Sequence, residues 1–256
     1  MNTFSVIIPT HNRNSFLVRA IKKTLSQKQK PKEIIIIDDT KNFNAKKIVN
    51  SFKSRRVLIK YINSKFSSNA LISRNMGAKK SKGKYIAFLD DDDFWDKKYL
   101  SSAKKLIDKN NYDLLLFNTF DYLNKGNKKK KNKIPKKFNI QDYLHYNPGV
   151  LCSNIIIKKS VFKKLKGYDW KISGSADKDL FLRYALKYKN YHISDRYLVY
   201  LQNHSQQWSK MYKLILIQKI LFFKKYLKFY LNFRNFTKFI KTIISFLILI
   251  NKKNEH

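Results

Sequence analysis

Residues 83–96 read GKYIAFLDDDDFWD, an apolar run that stops abruptly at four consecutive aspartates. Residues 85–89 have the length and composition of a buried strand, bounded by Gly83 in front and by acid behind. The stretch EIIIIDD at 33–39 has the same form, four isoleucines running into two aspartates. A strand that is apolar at every position has no face to turn to water, so it suits a parallel sheet covered on both sides.

Strands and helices alternate around these two runs. An apolar strand at 4–8 closes on Pro9-Thr10-His11-Asn12-Arg13, and a helix follows with Phe16, Leu17, Ala20, Ile21 and Leu25 on its apolar face. Periodicity predicts helices over 45–52, 68–80, 97–109, 160–165 and 173–187, and strands over 57–62, 113–120 and 154–157. The alternation specifies an α/β domain with right-handed crossovers. In such sheets ligands sit beyond the carboxyl ends of the strands, where the strand order reverses. Three strand ends carry polar clusters, at 10–13, at Asp38-Asp39 and at Asp90 to Asp93.

Four adjacent carboxylates repel one another, and the apolar residues on either side keep them from dispersing into water. A bound cation compensates such a cluster, and oxygen donors select Mg²⁺ or Mn²⁺ over zinc. Acid runs also occur as solvated loops or helix caps, so the cluster alone does not decide.

The formal charge of +38 calls for an anionic partner, whether nucleic acid, lipid or a phosphorylated substrate. Part of that charge reflects a general preference for Lys, Asn and Ile. Acids clustered against this basic background are the more informative feature. The single cysteine, Cys152, allows no internal disulfide, and a strand begins where a secretion signal would lie. A reducing, cytoplasmic setting is therefore expected.

Two segments stand apart. Residues 124–137, NKGNKKKKNKIPKK, read as an exposed basic loop or hairpin. From 211 to 250, polar residues at Lys225, Lys228, Asn232, Asn235, Lys238, Lys241 and Ser245 recur at helical spacing among Leu, Ile, Phe and Tyr. The final uncharged run, 242–250, is far short of the ~20 residues that a spanning helix needs. This amphipathic region is expected to lie on an anionic membrane surface, the alternative being a helical hairpin packed on the domain before it or on a dimer partner.

Taken together, FSVIIPTHNR at 4–13, EIIIIDD at 33–39, SRNMGAKKSKGKYIAFLDDDD at 73–93 and GSADKDLFLR at 174–183 resemble a family 2 glycosyltransferase, in that family's order and over roughly residues 4–205. The resemblance implies a GT-A fold, a Rossmann-like and mostly parallel sheet with helices on both faces, over residues 1–205. Residues 206–256 would then form the basic amphipathic helical tail.

It also implies inverting transfer of one sugar from a nucleotide-diphosphate sugar, most often a UDP-sugar, to an acceptor hydroxyl. By the same resemblance Pro9, Thr10, Arg13 and Arg74 line the nucleotide site and Asp39 takes the base. Asp90 and Asp91 face the ribose and donor sugar, and Asp92 holds a divalent cation, Mn or Mg. His204 stands near the metal or diphosphate, and Asp177 is the catalytic base.

The family's usual Gly-Ser after the second acid pair is Thr40-Lys41-Asn42 here, and the Glu that commonly precedes the base is Ala176. Gln206-Gln207-Trp208 lacks the Arg of processive synthases, so single-sugar addition is expected. The reading that follows is an enzyme on the inner face of the plasma membrane, acting on a glycan or lipid-linked acceptor of surface polysaccharide or lipopolysaccharide synthesis, with no nucleic-acid partner. The competing readings are a basic nucleic-acid-binding protein and an inactive glycosyltransferase-like scaffold.

Overall fold

The first apolar segment forms strand β1 (Phe4–Thr10) and the four isoleucines form β2 (Glu33–Asp38), every residue of both buried. The computed structural model describes residues 2–41, 44–64, 69–122, 129–202, 212–231, 236–241 and 243–245. Between these strands runs α1 (Asn14–Leu25), which buries Leu17, Ala20, Ile21 and Thr24. Then come α2 (Asn44–Ser51), β3 (Leu58–Asn63), α3 (Ala70–Lys80) and β4 (Tyr85–Phe88), the strand that runs into the acids. The order continues with β5 (Phe94–Trp95), α4 (Tyr99–Asn110), β6 (Leu114–Tyr122), β7 (Lys129–Asn132), α5 (Ile140–His145), β8 (Ile155–Lys158), α6 (Lys159–Lys164), α7 (Ala176–Lys187), β9 (Tyr191–Gln202) and α8 (Tyr212–Lys225).

The described strands make one sheet in the order β3-β2-β1-β4-β8-β6-β9-β5, with β7 paired to β6. β3, β2, β1 and β4 are parallel, and β8 and β5 run against their neighbours. Side chains alternate across the sheet as the two-residue period of a strand requires. Ile7, Ile35, Ile37, Ile86 and Phe88 enter the layer shared with α3, α6 and α7. Val6, Ile8, Ile34, Ile36 and Ala87 enter the layer beneath α1, α2 and α4. Each fully buried Ile or Val contributes about 1.5–3 kcal/mol relative to exposure, so the continuous runs fix this part of the fold.

Two close fits hold the sheet in register. A Cβ on Gly83 would lie 2.6 Å from the Ser5 amide nitrogen, so glycine is what lets β4 start beside β1. Asn12 takes a left-handed conformation (φ 52), which asparagine tolerates, and turns the chain from β1 to Arg13.

The basic segment after β6 forms a hairpin in part, with Lys131 and Asn132 paired to Phe120 and Thr119. The long strand β9 runs parallel to β6 through a register shift around Asn118. α8 packs on residues 170–175, and Phe222, Tyr226 and Tyr230 join the core beneath it. The Tyr226 hydroxyl donates to Asp179 Oδ1 at 2.7 Å, and Lys225 Nζ lies 2.8 Å from carboxylates of both Asp169 and Asp179. Ile217, Ile220 and Leu221 of α8, and Leu227 and Leu231 beyond its end, are exposed. Among the described residues no helix is long and apolar enough to cross a membrane.

Candidate active site

β1 lies between β2 and β4, and the chain adds strands on one side of β1 before moving to the other. The carboxyl ends of β1, β2 and β4 therefore meet at the reversal in strand order. A cavity of about 360 Å³ opens there, lined by Pro9, Thr10, His11, Arg13, Asp39, Ala70, Arg74, Asp90, Asp91 and Asp92. All seven residues expected at a nucleotide and donor site line it, together with Asp92.

Neighbouring acids have different surroundings. Asp38 is buried and turned inward, accepting from the Thr40 amide and hydroxyl at 3.0 and 2.7 Å and from the Tyr61 hydroxyl at 2.8 Å. Asp39 lines the cavity and meets His11 Nδ1 at 2.5 Å. His11 belongs to the THNR turn that the sequence singles out, yet its pairing with Asp39 across 28 residues carries no sequence signal.

The four aspartates after β4 diverge likewise. Arg74, seven per cent exposed, forms an ion pair with Asp90, whose other oxygen accepts from the Cys152 thiol at 3.0 Å. Burial would raise the Asp90 carboxyl, but Arg74 and the thiol outweigh it and hold the group below the usual carboxylate range. Asp91 accepts from the Thr10 hydroxyl at 2.7 Å, and Arg13 bridges Asp91 and Asp92. Burial pushes Asp91 up to about 6, against the Thr10 hydrogen bond and with the help of the Asp92 charge. Asp93 turns into the protein, where the Gln202 amide donates to it at 3.0 Å. Burial, then the charges of Asp90 and Asp92, drive its carboxyl well above the ordinary value.

Asp90, Asp92 and Asp93 each present an oxygen within 4.8 Å of the other two. Such a set of hard donors suits a divalent cation, which would relieve the mutual repulsion that raises Asp93. The sequence reading assigns Asp92 to this role and gives none to Asp93. His204 lies outside the described residues.

Asp177 is not among the residues lining the cavity. It stands in the first turn of α7, behind Arg74 and Asp90, and the charges of both act on it. Burial raises its carboxyl, Arg74 draws it down and Asp90 pushes it up again, leaving it at about 6. Its Oδ1 is buried with no hydrogen-bond partner among the described residues. The nearby Asp179 is engaged on all sides by Arg183, Lys225 and Tyr226, which makes it an anchor. Ser153 is a further support that the sequence does not reveal. It accepts the Asp90 amide at 3.1 Å on its hydroxyl and the Trp95 indole N–H at 2.7 Å on its carbonyl.

Comparison with known proteins bears on the family and the fold. The family model described as Glycosyl transferase family 2 matches residues 5–166. The chain is 33% identical over 210 residues to the poly(ribitol-phosphate) β-N-acetylglucosaminyltransferase TarP of Staphylococcus aureus, a match covering 78% of this chain and 63% of TarP. It is 37% identical over 95 residues, 37% of each chain, to the Escherichia coli UDP-Glc:α-D-GlcNAc-diphosphoundecaprenol β-1,3-glucosyltransferase WfaP. The matched part is less than two thirds of these relatives, and only 18% of an uncharacterized glycosyltransferase of Rickettsia conorii. Among solved structures, S. aureus TarS 1–349 in complex with UDP-GlcNAc superimposes with a TM-score of 0.66 at 18% identity, covering 96% of this chain and 81% of that one. The fold is thus the GT-A arrangement that the motifs imply.

Proposed function

This chain belongs to glycosyl transferase family 2, and from that premise we propose that it transfers one sugar, with inversion, from a nucleotide-diphosphate sugar to the hydroxyl of a phosphate-bearing or lipid-linked acceptor. The observation that carries the reading is the meeting of Thr10, Arg13, Asp39, Arg74 and Asp90 to Asp92 around one cavity at the strand-order reversal.

In this reading the nucleotide lies against Pro9 and Thr10, with Asp39 accepting from its base. Arg13 and Arg74 approach the diphosphate, and the amino end of α3, where Ala70 lines the cavity, adds the positive end of its dipole. Asp90, Asp92 and Asp93 would hold Mg²⁺ or Mn²⁺, which supplies positive charge where the leaving diphosphate develops negative charge. Arg74 keeps Asp90 ionised and fixed, while Thr10 and Arg13 orient Asp91.

Asp177 takes the proton of the acceptor hydroxyl as that oxygen attacks the sugar. A carboxyl poised at about 6 is mostly ionised at neutral pH yet basic enough to accept a proton in the transition state. A base separate from the leaving group fits direct displacement, hence inversion.

The acceptor class rests on likeness: TarP is named for a poly(ribitol-phosphate) acceptor and WfaP for a lipid diphosphate. The exposed Ile217, Ile220, Leu221, Leu227 and Leu231, beside exposed Lys224 and Lys228, suit contact with an anionic membrane surface, where lipid-linked acceptors reside.

The test is a panel of nucleotide sugars with Mg²⁺ or Mn²⁺, scored for thermal stabilisation and for slow release of nucleotide. The reading expects one UDP-sugar to stabilise the protein and to be hydrolysed, and Asp177→Asn to bind it but release at least 100-fold less nucleotide. No response to any nucleotide sugar would overturn it.

A further inference from the structure

Among the described residues one buried lysine forms no ion pair. Lys178, the residue after Asp177, is eight per cent exposed, and its Nζ sits 4.1 Å from the centre of the Phe222 ring. Its neighbour Asp179 is fully engaged by Arg183, Lys225 and Tyr226, and no ion pair joins Lys178 to a described residue. An aromatic face offsets only part of the several kcal/mol that burying a cation costs. Burial, then repulsion from Lys219, lowers the ammonium to about 7 against the opposing charge of Asp179.

Lys178 opens onto a small cavity of about 20 Å³, whose lining is half polar, with Lys219, His145 and Ser175, and half apolar or aromatic, with Leu144, Phe222, Tyr230 and Phe239. That volume admits one oxygen-sized group. Ser175 is the residue from which α7 starts, and its side chain makes no capping hydrogen bond. Three groups able to carry positive charge thus converge from α5, α7 and α8 on one recess. Polar groups converging from several directions suit a tetrahedral oxyanion that leaves its remaining oxygens outside, better than a planar carboxylate.

We propose that Lys178, Lys219 and His145 receive a phosphate group of the acceptor, at the residue that follows Asp177 on α7. This deepens the glycosyltransferase reading and rests on it for the word acceptor. It restricts acceptors to those that carry a phosphate, on either a polyol-phosphate unit or a lipid diphosphate. Lys178 becomes the specificity-determining residue, its charge gaining a directly paired anion when such an acceptor is bound.

The experiment is thermal unfolding of the full chain in saturating UDP and excess Mg²⁺ at fixed ionic strength, titrated separately with sn-glycerol 3-phosphate and with geranyl diphosphate. The wild type is expected to gain stability saturably with at least one probe, and the tighter probe identifies the source of the phosphate. In Lys178→Met and in Lys219→Met the half-saturating concentration should rise at least tenfold, while the stabilisation by UDP alone is unchanged. Should Lys178→Met not fold, Lys219→Met at the less buried side of the recess decides. If UDP stabilises all forms but both variants respond to phosphate as the wild type does, the phosphate site is overturned and the donor reading stands. If UDP has no effect on the wild type, the UDP-donor reading fails, and the phosphate titrations still decide whether the recess binds an oxyanion.

Discussion

Cys152 donates its thiol hydrogen to Asp90 at 3.0 Å, from a position three per cent exposed and 62 residues away in the chain. Burial and the neighbouring carboxylate raise the thiol well above its usual value, so it stays protonated and acts as a fixed donor. Cys152→Ser keeps a donor and is expected to retain donor-sugar affinity within about threefold. Cys152→Val removes it, frees one Asp90 oxygen and should weaken affinity by roughly 1–2 kcal/mol, about 5- to 30-fold. Calorimetric titration with the donor identified by the nucleotide-sugar panel separates the two variants.

The acid limb of the rate profile is expected to report Asp177. With its carboxyl at about 6, kcat/KM should fall about tenfold per pH unit below that value and level off above it. The same shift has a stability consequence of opposite direction. A carboxyl raised in the folded state holds its proton more tightly there than in the unfolded chain. Its stabilising contribution is therefore complete below the ordinary Asp value and is lost as pH rises through about 6. Asp177→Asn should thus be inactive yet more stable than the wild type at pH 7.5, by up to roughly 3 kcal/mol. Equal melting temperatures for the two proteins at pH 7.5 would count against the buried, ionisable base.

Cation dependence follows from the three converging carboxylates. Stripping divalent ions with EDTA should abolish transfer, and Mg²⁺ or Mn²⁺ should restore it. Asp92→Asn should lose at least 100-fold in kcat, while Arg13, deprived of one partner, still pairs with Asp91. Undiminished turnover in EDTA would rule out a metal role for this cluster.

Gly83 gives a prediction about folding alone. Gly83→Ala would put a methyl group 2.6 Å from the Ser5 amide nitrogen and 2.8 Å from the Phe4 carbonyl carbon, both backbone atoms of β1. Neither can yield without moving the central strand. A loss of about 2–3 kcal/mol is expected by chemical denaturation, with donor affinity at 10 °C little changed in the folded fraction.

The membrane contact can be tested without disturbing the fold. Deleting α8 would uncover the core around Phe222 and Tyr226, so a truncated chain confuses attachment with unfolding. Replacing exposed Ile220, Leu227 and Leu231 together by Asn leaves that core intact. Cosedimentation with vesicles rich in phosphatidylglycerol should fall at least tenfold while the melting temperature changes little.

Much of the cavity at the strand ends was legible in the chain itself. Uninterrupted isoleucines demand burial on both faces, and three adjacent parallel strands then bring Thr10, Asp39 and the Asp90 cluster together. Strand β9 carried no comparable signal: Asp195 and Arg196 interrupt its apolar pattern, and pairing with β6 fixes it. β5 is two residues long and α5 six, too short for any period to register. The supports of the site were hidden for another reason. Cys152, Ser153 and His11 matter through partners many residues distant, and only the sheet order brings them together. The tail is expected from its sequence on a membrane surface, with packing on the domain as the alternative; α8 packs on residues 170–175, and the exposed apolar residues of 217–231 leave surface attachment to the vesicle experiment.

Asp179 is gripped from the end of α8 and the residue after it by the ammonium of Lys225 and the phenol of Tyr226, and it lies half a helical turn beyond the proposed base. Exchange of the C-terminal segment between relatives is therefore not a neutral graft. A donor tail that failed to bring a hydroxyl and a cation to those two positions would leave a carboxylate in the interior short of partners and let the start of α7 drift. Chimeras made to transplant membrane preference would then lose turnover for a mechanical reason, one that restoring the Tyr–Asp–Lys clasp would cure.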